Sequence, residues 1–145
     1  MERALAIERL VRLHRAQTHF HEGGSVEPLR SLLATDIRWT VPGDNAIAGV
    51  YEGIDAVLEY FARRREIASG TFKIRPTEVL TGVGDHVAAL TDGTATIDGA
   101  AREWSTVGLY QLRGDRVAAC WLLPLDLDVF DRIWQAPART SDGPF

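Results

Sequence analysis

Apolar residues recur along this chain with two different periods, and the change between them divides it. From residue 2 to residue 21, Ala6, Leu10, Leu13 and Phe20 fall at helical spacing with arginines between them, which predicts a long amphipathic helix. Gly23-Gly24 ends it. Ser25 is placed to cap a short second helix through Leu29, Leu32 and Leu33, with Pro28 tolerated in its first turn. Ile37, Trp39 and Val41 then alternate with Arg38 and Thr40, the period of a strand with one buried face, opened by Asp36 and broken by the Pro-Gly-Asp-Asn of 42–45. A short extended segment at 48–53 leads to a third helix over 54–69, whose apolar stripe is Val57, Leu58, Phe61 and Ala62, and Ser69-Gly70 closes it.

Beyond Gly70 the period falls to two. Strands are predicted at 72–80, 87–97, 102–112 and 116–125. The links at 82–85, 98–99 and 113–115 are short and glycine-containing, which indicates consecutive antiparallel hairpins. A last short helix carries Val129, Phe130 and Trp134, and residues 136–145 read as a flexible tail. The expectation is one α+β domain over residues 1–135, three N-terminal helices packed on a strongly bent antiparallel sheet, with a conical ligand cavity between them.

Composition narrows the function classes. A formal charge of -4 and a pI near 5.5 speak against nucleic acid as partner. Cys120 has no second cysteine to pair with, no Cys/His cluster has metal spacing, and no run of residues has the apolar length of a membrane span. A cytoplasmic protein without metal or cofactor is expected. Gly82-Val83-Gly84 sits in a hairpin rather than before a helix, so no nucleotide loop is present.

The run from Leu32 to Gly43, followed by Gly49, Tyr51, Gly53 and a helix through Val57 and Phe61, resembles the SnoaL-like branch of the NTF2-like superfamily. Residues 110–117 with Trp121, Pro124 and Asp126 resemble its last hairpin and closing segment. The resemblance implies a cone-shaped α+β barrel, usually a homodimer, whose relatives include polyketide cyclases, isomerases, epoxide hydrolases and noncatalytic binding proteins. Fold alone does not choose among these. Where ketosteroid isomerase carries its carboxylate base, this chain has Val41. The isomerase's oxyanion-hole tyrosine falls near Ala16 or Gln17 and its oxyanion-hole acid near Gly108, and the hydrolases' final-strand aspartate falls near Leu122. Those two chemistries are not expected.

The remaining polar residues are weighed individually. Asp92 interrupts a strand, where aspartate is disfavoured, and is either a cavity-facing acid-base group or the mark of a bulge beside Gly93. His14 lies one turn from Leu10 and either faces the cavity as a proton carrier or sits on the helix rim; Gln17 shares its side. His19, His21 and Glu22 read as surface residues, and Arg63-Arg64-Arg65 as a solvated run that complements a helix C-terminus. Trp39, Tyr51, Trp104, Tyr110 and Trp121, with Val41, are candidates for the walls of a wide aromatic cavity. The expected activity is ring closure or isomerisation of a hydrophobic polyketide-like intermediate, driven mainly by shaping the substrate and with little proton transfer; binding without transformation is the alternative.

Overall fold

In the computed structural model, which describes residues 2–135, helix α1 (Arg3–His21) buries Ala6, Leu10, Leu13, Ala16 and Phe20 on one face. Three polar residues, His14, Gln17 and His21, share that buried face. Gly23, at φ 98°, turns the chain into α2 (Glu27–Leu32), where Ser25 Oγ accepts the Glu27 N–H. Strand β1 (Leu33–Val41) follows without a gap, and β2 (Gly49–Glu52) returns antiparallel to it. Helix α3 (Ile54–Ile67) buries Val57, Leu58, Tyr60, Phe61 and Arg64, and ends where Ser69 and Gly70 take positive φ.

Four long strands come next: β3 (Lys73–Thr81), β4 (His86–Ile97), β5 (Ala100–Arg113) and β6 (Arg116–Pro124). The Asp98-Gly99 link has φ of 52° and 77°, the conformation that a two-residue hairpin of the right twist requires. Helix α4 (Leu127–Ile133) is capped by Asp126, whose side chain accepts the Val129 N–H. It is fastened to the loop after β1, since Asp131 Oδ1 accepts from Asn45 Nδ2 at 2.7 Å and Ala46 N donates to Trp134 O at 2.8 Å.

The six strands form one curled, unclosed sheet in the order β2-β1-β6-β5-β4-β3. Two expectations are corrected here. The first strand begins at Leu33, not Asp36, because Leu33 pairs with Val117 across a register shift that runs to Arg38. The sheet is also not wholly antiparallel: β1 runs parallel to β6, with Trp39 opposite Cys120. Tight turns fix direction only between consecutive strands, and β1 and β6 are joined through α3 and four further strands, so no local signal sets their sense. The tail expected at 136–145 lies outside the described residues. Among the described residues no helix is long and apolar enough to cross a membrane.

Two glycines let the concave face of the sheet carry large rings. A Cβ at Gly93 would lie 2.4 Å from the Trp104 ring, and one at Gly108 would lie 2.6 Å from the Tyr110 hydroxyl. Each ring lies over a strand position that has no side chain of its own. Gly93→Ala is therefore expected to destabilise the fold by about 1–3 kcal/mol through overpacking and to drive Trp104 from its seat. Urea unfolding and Trp fluorescence measure the two effects.

Candidate functional site

Alternation along the strands decides which side chains meet inside the curl. On β4 the buried positions include Val87, Ala89, Thr91, Gly93, Ala95 and Ile97, and on β5 they include Thr106, Gly108, Tyr110 and Leu112. Against them, α1 presents His14 and Gln17, α3 presents Tyr60 and Arg64, and α4 presents Phe130 and Trp134. Together with Trp39, Ile47, Phe72, Ile74, Thr91, Trp104, Thr106, Tyr110 and Leu122 these residues line an inner cavity of about 30 Å³. That volume holds roughly two waters. The wide cavity expected from the sequence is not present: Trp39, Tyr60, Phe61 and Tyr110 contact one another, as do Phe72, Trp104 and Trp134, and these rings occupy most of the cone. A larger groove of about 690 Å³, lined by Thr18 of α1 and by residues of β3, β4 and β5, shares Ile74 and Trp104 with the cavity.

Five of the residues singled out from the sequence meet in the cavity: His14, Gln17, Trp39, Trp104 and Tyr110. Four do not line it. Asp92 is out of phase with the inward-facing positions of β4; it accepts from Ser105 Oγ at 2.7 Å and pairs with Arg75 at 3.7 Å, on the rim of the outer groove. Trp121 is out of phase with Cys120 and Leu122 and stacks on His86 across the convex face. Tyr51 packs behind Tyr60 with its ring centroid 4.8 Å away, its hydroxyl donating to Ile47 O, and Val41 is a core residue.

Arg64 and His21 are the residues that the sequence reading missed. Arg64 is 4% exposed, not solvated, and His21 is fully buried, not at the surface. The arginine lies between α1 and α3. Its Nε donates to His21 Nε2 at 3.1 Å, Nη1 to Tyr60 Oη at 3.0 Å and Nη2 to Gln17 Oε1 at 2.6 Å, while the guanidinium carbon sits 4.0 Å from the Phe72 ring centroid. None of these partners is a carboxylate, and among the described residues no acidic side chain lines the cavity. Burying an unpaired cation costs several kcal/mol. The three charge-assisted hydrogen bonds, at about 1.5–3 kcal/mol each, and the stacked ring offset that cost. Helical phase could have found both residues, because 64 follows 57 and 61 on one stripe and 21 follows 14 and 17.

The two inner histidines are held in one tautomer. His14 Nδ1 donates to Leu10 O and His21 Nδ1 to Gln17 O, each at 2.6 Å, which leaves both Nε2 atoms as acceptors. Burial, with the Arg64 charge adding to it, lowers the His14 pKa from 6.5 to about 4 and that of His21 to about 3. His14 Nε2 opens on the cavity, with Tyr110 Oη 3.5 Å away. Burial raises the Tyr110 hydroxyl and the Cys120 thiol well above their ordinary ranges, so both stay protonated. The site thus combines a neutral imidazole base, a fixed positive charge and a wall of rings. His19, which lies against Gly24, is turned away from His21, so these two do not act together.

A curled sheet closed by helices around a ring-lined cavity defines the class: this is an NTF2-like fold. Within that class the chain belongs to the SnoaL-like domain family, whose profile matches residues 14–120. It is 31% identical over 67 residues to the uncharacterized proteins Mb0035 of Mycobacterium bovis and Rv0034 of Mycobacterium tuberculosis. Those matches take in 46% of this chain and 51% of the other, so the chain spans about half the length of the curated relatives it matches. Among solved structures, Bal32a from a soil-derived mobile gene cassette superposes with a TM-score of 0.79 at 24% identity over 90% of this chain and 99% of that one. TerC, co-crystallised with polyporic acid, gives 0.73 at 18% identity over 91% and 99%.

The histidines make stability depend on pH. Both folded pKa values are depressed, so between pH 6.5 and about 4 the unfolded chain binds protons that the folded chain refuses. Their contribution is complete above pH 6.5 and is lost as the pH falls toward about 4, amounting to roughly 3 kcal/mol for His14 alone. Urea midpoints measured from pH 7 to pH 4 are expected to fall steadily, and His14→Leu is expected to reduce the slope.

Proposed function

We propose that this protein is a cyclase or isomerase acting on a hydrophobic, polyketide-like carbonyl compound, and that the reacting end of the substrate enters the inner cavity. The observation that carries this reading is His14, an imidazole kept neutral with its Nε2 lone pair facing a ring-lined cavity whose one charged residue is Arg64. In the proposed step, Nε2 takes a proton from a carbon beside a carbonyl, and the C–H electron pair becomes an enolate stabilised by the guanidinium charge. The enolate carbon then either attacks a second carbonyl, closing a ring as His14 returns the proton to the new alkoxide, or is reprotonated at another carbon. The aromatic walls orient the reacting end and exclude water. Shaping of an entire polyketide chain inside the cone fits poorly with a cavity of about 30 Å³, so proton transfer takes the larger part here. TerC, on the same fold, was co-crystallised with polyporic acid, which supports an organic acid as the class of ligand.

Binding without transformation remains the second reading, favoured by the weakness of a base whose pKa is about 4. Deuterium exchange into an aryl 1,3-diketone separates the two. For the enzyme, exchange above background is expected to be level between pH 6 and 8 and to fall toward pH 4, because the free-base form of His14 disappears there. His14→Ala should lower it by about 10²-fold or more, whereas Asp92→Asn, on the groove and not in the cavity, should lower it far less. Ligand retention with no exchange would assign the protein to the binding class.

The convex face supports a homodimer. Val107 and Leu109 are half-buried there, opposite Leu123 and Trp121 respectively, and Leu123 is 50% exposed. An isologous pairing of this face would cover these side chains. Light scattering is expected to give about 32 kDa, twice the chain mass of 16.0 kDa, and Leu109→Glu should return the protein to a single chain.

A further inference from the structure

We propose that the inner cavity selects a substrate already carrying a negatively charged oxygen group, a carboxylate or an acidic enol, which docks against Arg64 while the rest of the molecule extends past Trp104 and Ile74 into the outer groove. The proposal rests on the reading of this cavity as the reaction site and adds the chemical class of its occupant.

The donors of the cavity outnumber its acceptors. Arg64 has five N–H groups and directs three of them to His21, Tyr60 and Gln17, none of which carries negative charge. Gln17 accepts from Arg64 through its carbonyl oxygen, so its amide nitrogen can only donate, and that nitrogen is buried without a partner. Trp134 Nε1, which is donor only, and Thr106 Oγ1 are buried and unpartnered as well. All four residues line the same cavity, and none is more than 4% exposed. Unpaired buried donors are rare because each forfeits its hydration, so several of them facing one cavity with an uncompensated cation describe the complement of an anionic, acceptor-rich group.

Size and charge limit the choice further. A space of about 30 Å³ admits a head group of a few atoms and not a ring system, while the adjoining groove of about 690 Å³ has room for the rest of the molecule. One guanidinium matches a monoanion, whereas a phosphate dianion would keep an unpaired charge. Neither His14 nor His21 supplies a second positive charge near neutral pH. A purely structural Arg64, clamping α1 to α3, would explain its bonds to Gln17, His21 and Tyr60 but not the orphan donors of Thr106 and Trp134.

The probe is a matched pair, 2-naphthoate and 2-naphthamide, titrated at pH 7 by calorimetry and by quenching of Trp fluorescence. Naphthoate should bind at least about tenfold more tightly, the effect of one charge-assisted hydrogen bond. Thr106→Val removes an unpartnered hydroxyl and is expected to fold normally. With Gln17→Leu, it should weaken naphthoate severalfold and leave naphthamide alone. Arg64→Gln should abolish the preference where that variant folds. Equal affinity for the two probes, absence of binding by either, or naphthoate binding untouched by Thr106→Val and Gln17→Leu would overturn the proposal and leave Arg64 as a helix clamp. Neither probe can be enolised and turned over, so this result is independent of deuterium exchange: acid recognition can fail while enolisation stands, and the reverse.

Discussion

The site depends on a charge placed where charges are expensive. Arg64 is buried between α1 and α3 with no carboxylate beside it, and the arrangement around it follows from making that tolerable. Gln17 and His21 are on the inner face of α1 because they accept its hydrogen bonds. The guanidinium carbon lies 4.0 Å from the Phe72 ring centroid, 4.9 Å from that of Phe61 and 5.2 Å from that of Tyr60. An aspartate in any of these positions would have neutralised the cavity and fixed the helices equally well. Neutral acceptors hold the arginine while leaving its positive charge uncompensated beside the cavity, and that charge adds to the burial that chiefly lowers the pKa of both inner histidines.

Most of the fold was legible from the sequence because it is carried by periodicity and turn chemistry. The break at Gly70 marked the change from helix to strand, Asp98-Gly99 and Gly114 marked hairpins, and the phase of Trp104, Thr106, Gly108 and Tyr110 placed those residues on one face. Register across nonconsecutive strands was not legible: nothing near residue 39 indicates that residue 120 will lie beside it in parallel. The site was legible where a polar residue shared a helical phase with apolar neighbours, as His14 and Gln17 do. It was lost where a local rule with a plausible default overrode phase. Three consecutive arginines at a helix end are ordinarily solvated, yet of Arg63, Arg64 and Arg65 the second falls on the stripe of Val57 and Phe61 and is drawn in. Asp92 misled in the opposite sense, since a strand aspartate looks functional until its register partners, Arg75 and Ser105, are known.

The position of α4 explains why the cavity is narrow and where it opens. The helix brings Phe130 and Trp134 over one end of the curl, and its tie through Asp131 to Asn45 holds the loop that contributes Ile47 to the wall. Ile74 and Trp104 belong to both the cavity and the groove, and the Trp104 ring lies 5.3 Å from that of Trp134. Trp104 fits there because Gly93 has no side chain. The α4 side of the cavity is therefore fastened by backbone and side-chain hydrogen bonds, while the wall it shares with the groove rests on a single ring over a glycine.

Proton transfer and charge recognition are coupled through this geometry. The burial that keeps His14 unprotonated, with the Arg64 charge adding to it, also makes its conjugate acid strong, so on its own the imidazole holds an abstracted proton poorly. A negative oxygen formed beside Arg64 changes both terms together: it screens the guanidinium from the imidazole and attracts the imidazolium. The base then gains strength as negative charge develops on the substrate, and it releases the proton again when that charge is consumed in forming the new bond. A carboxylate near the imidazole, the arrangement that Asp92 would have provided from the concave face, would instead hold the proton permanently and remove the base from use at neutral pH. Among the described residues the cavity wall holds no acidic side chain, and this is in that sense part of the chemistry, because the negative charge that comes with the substrate meets none already fixed beside His14.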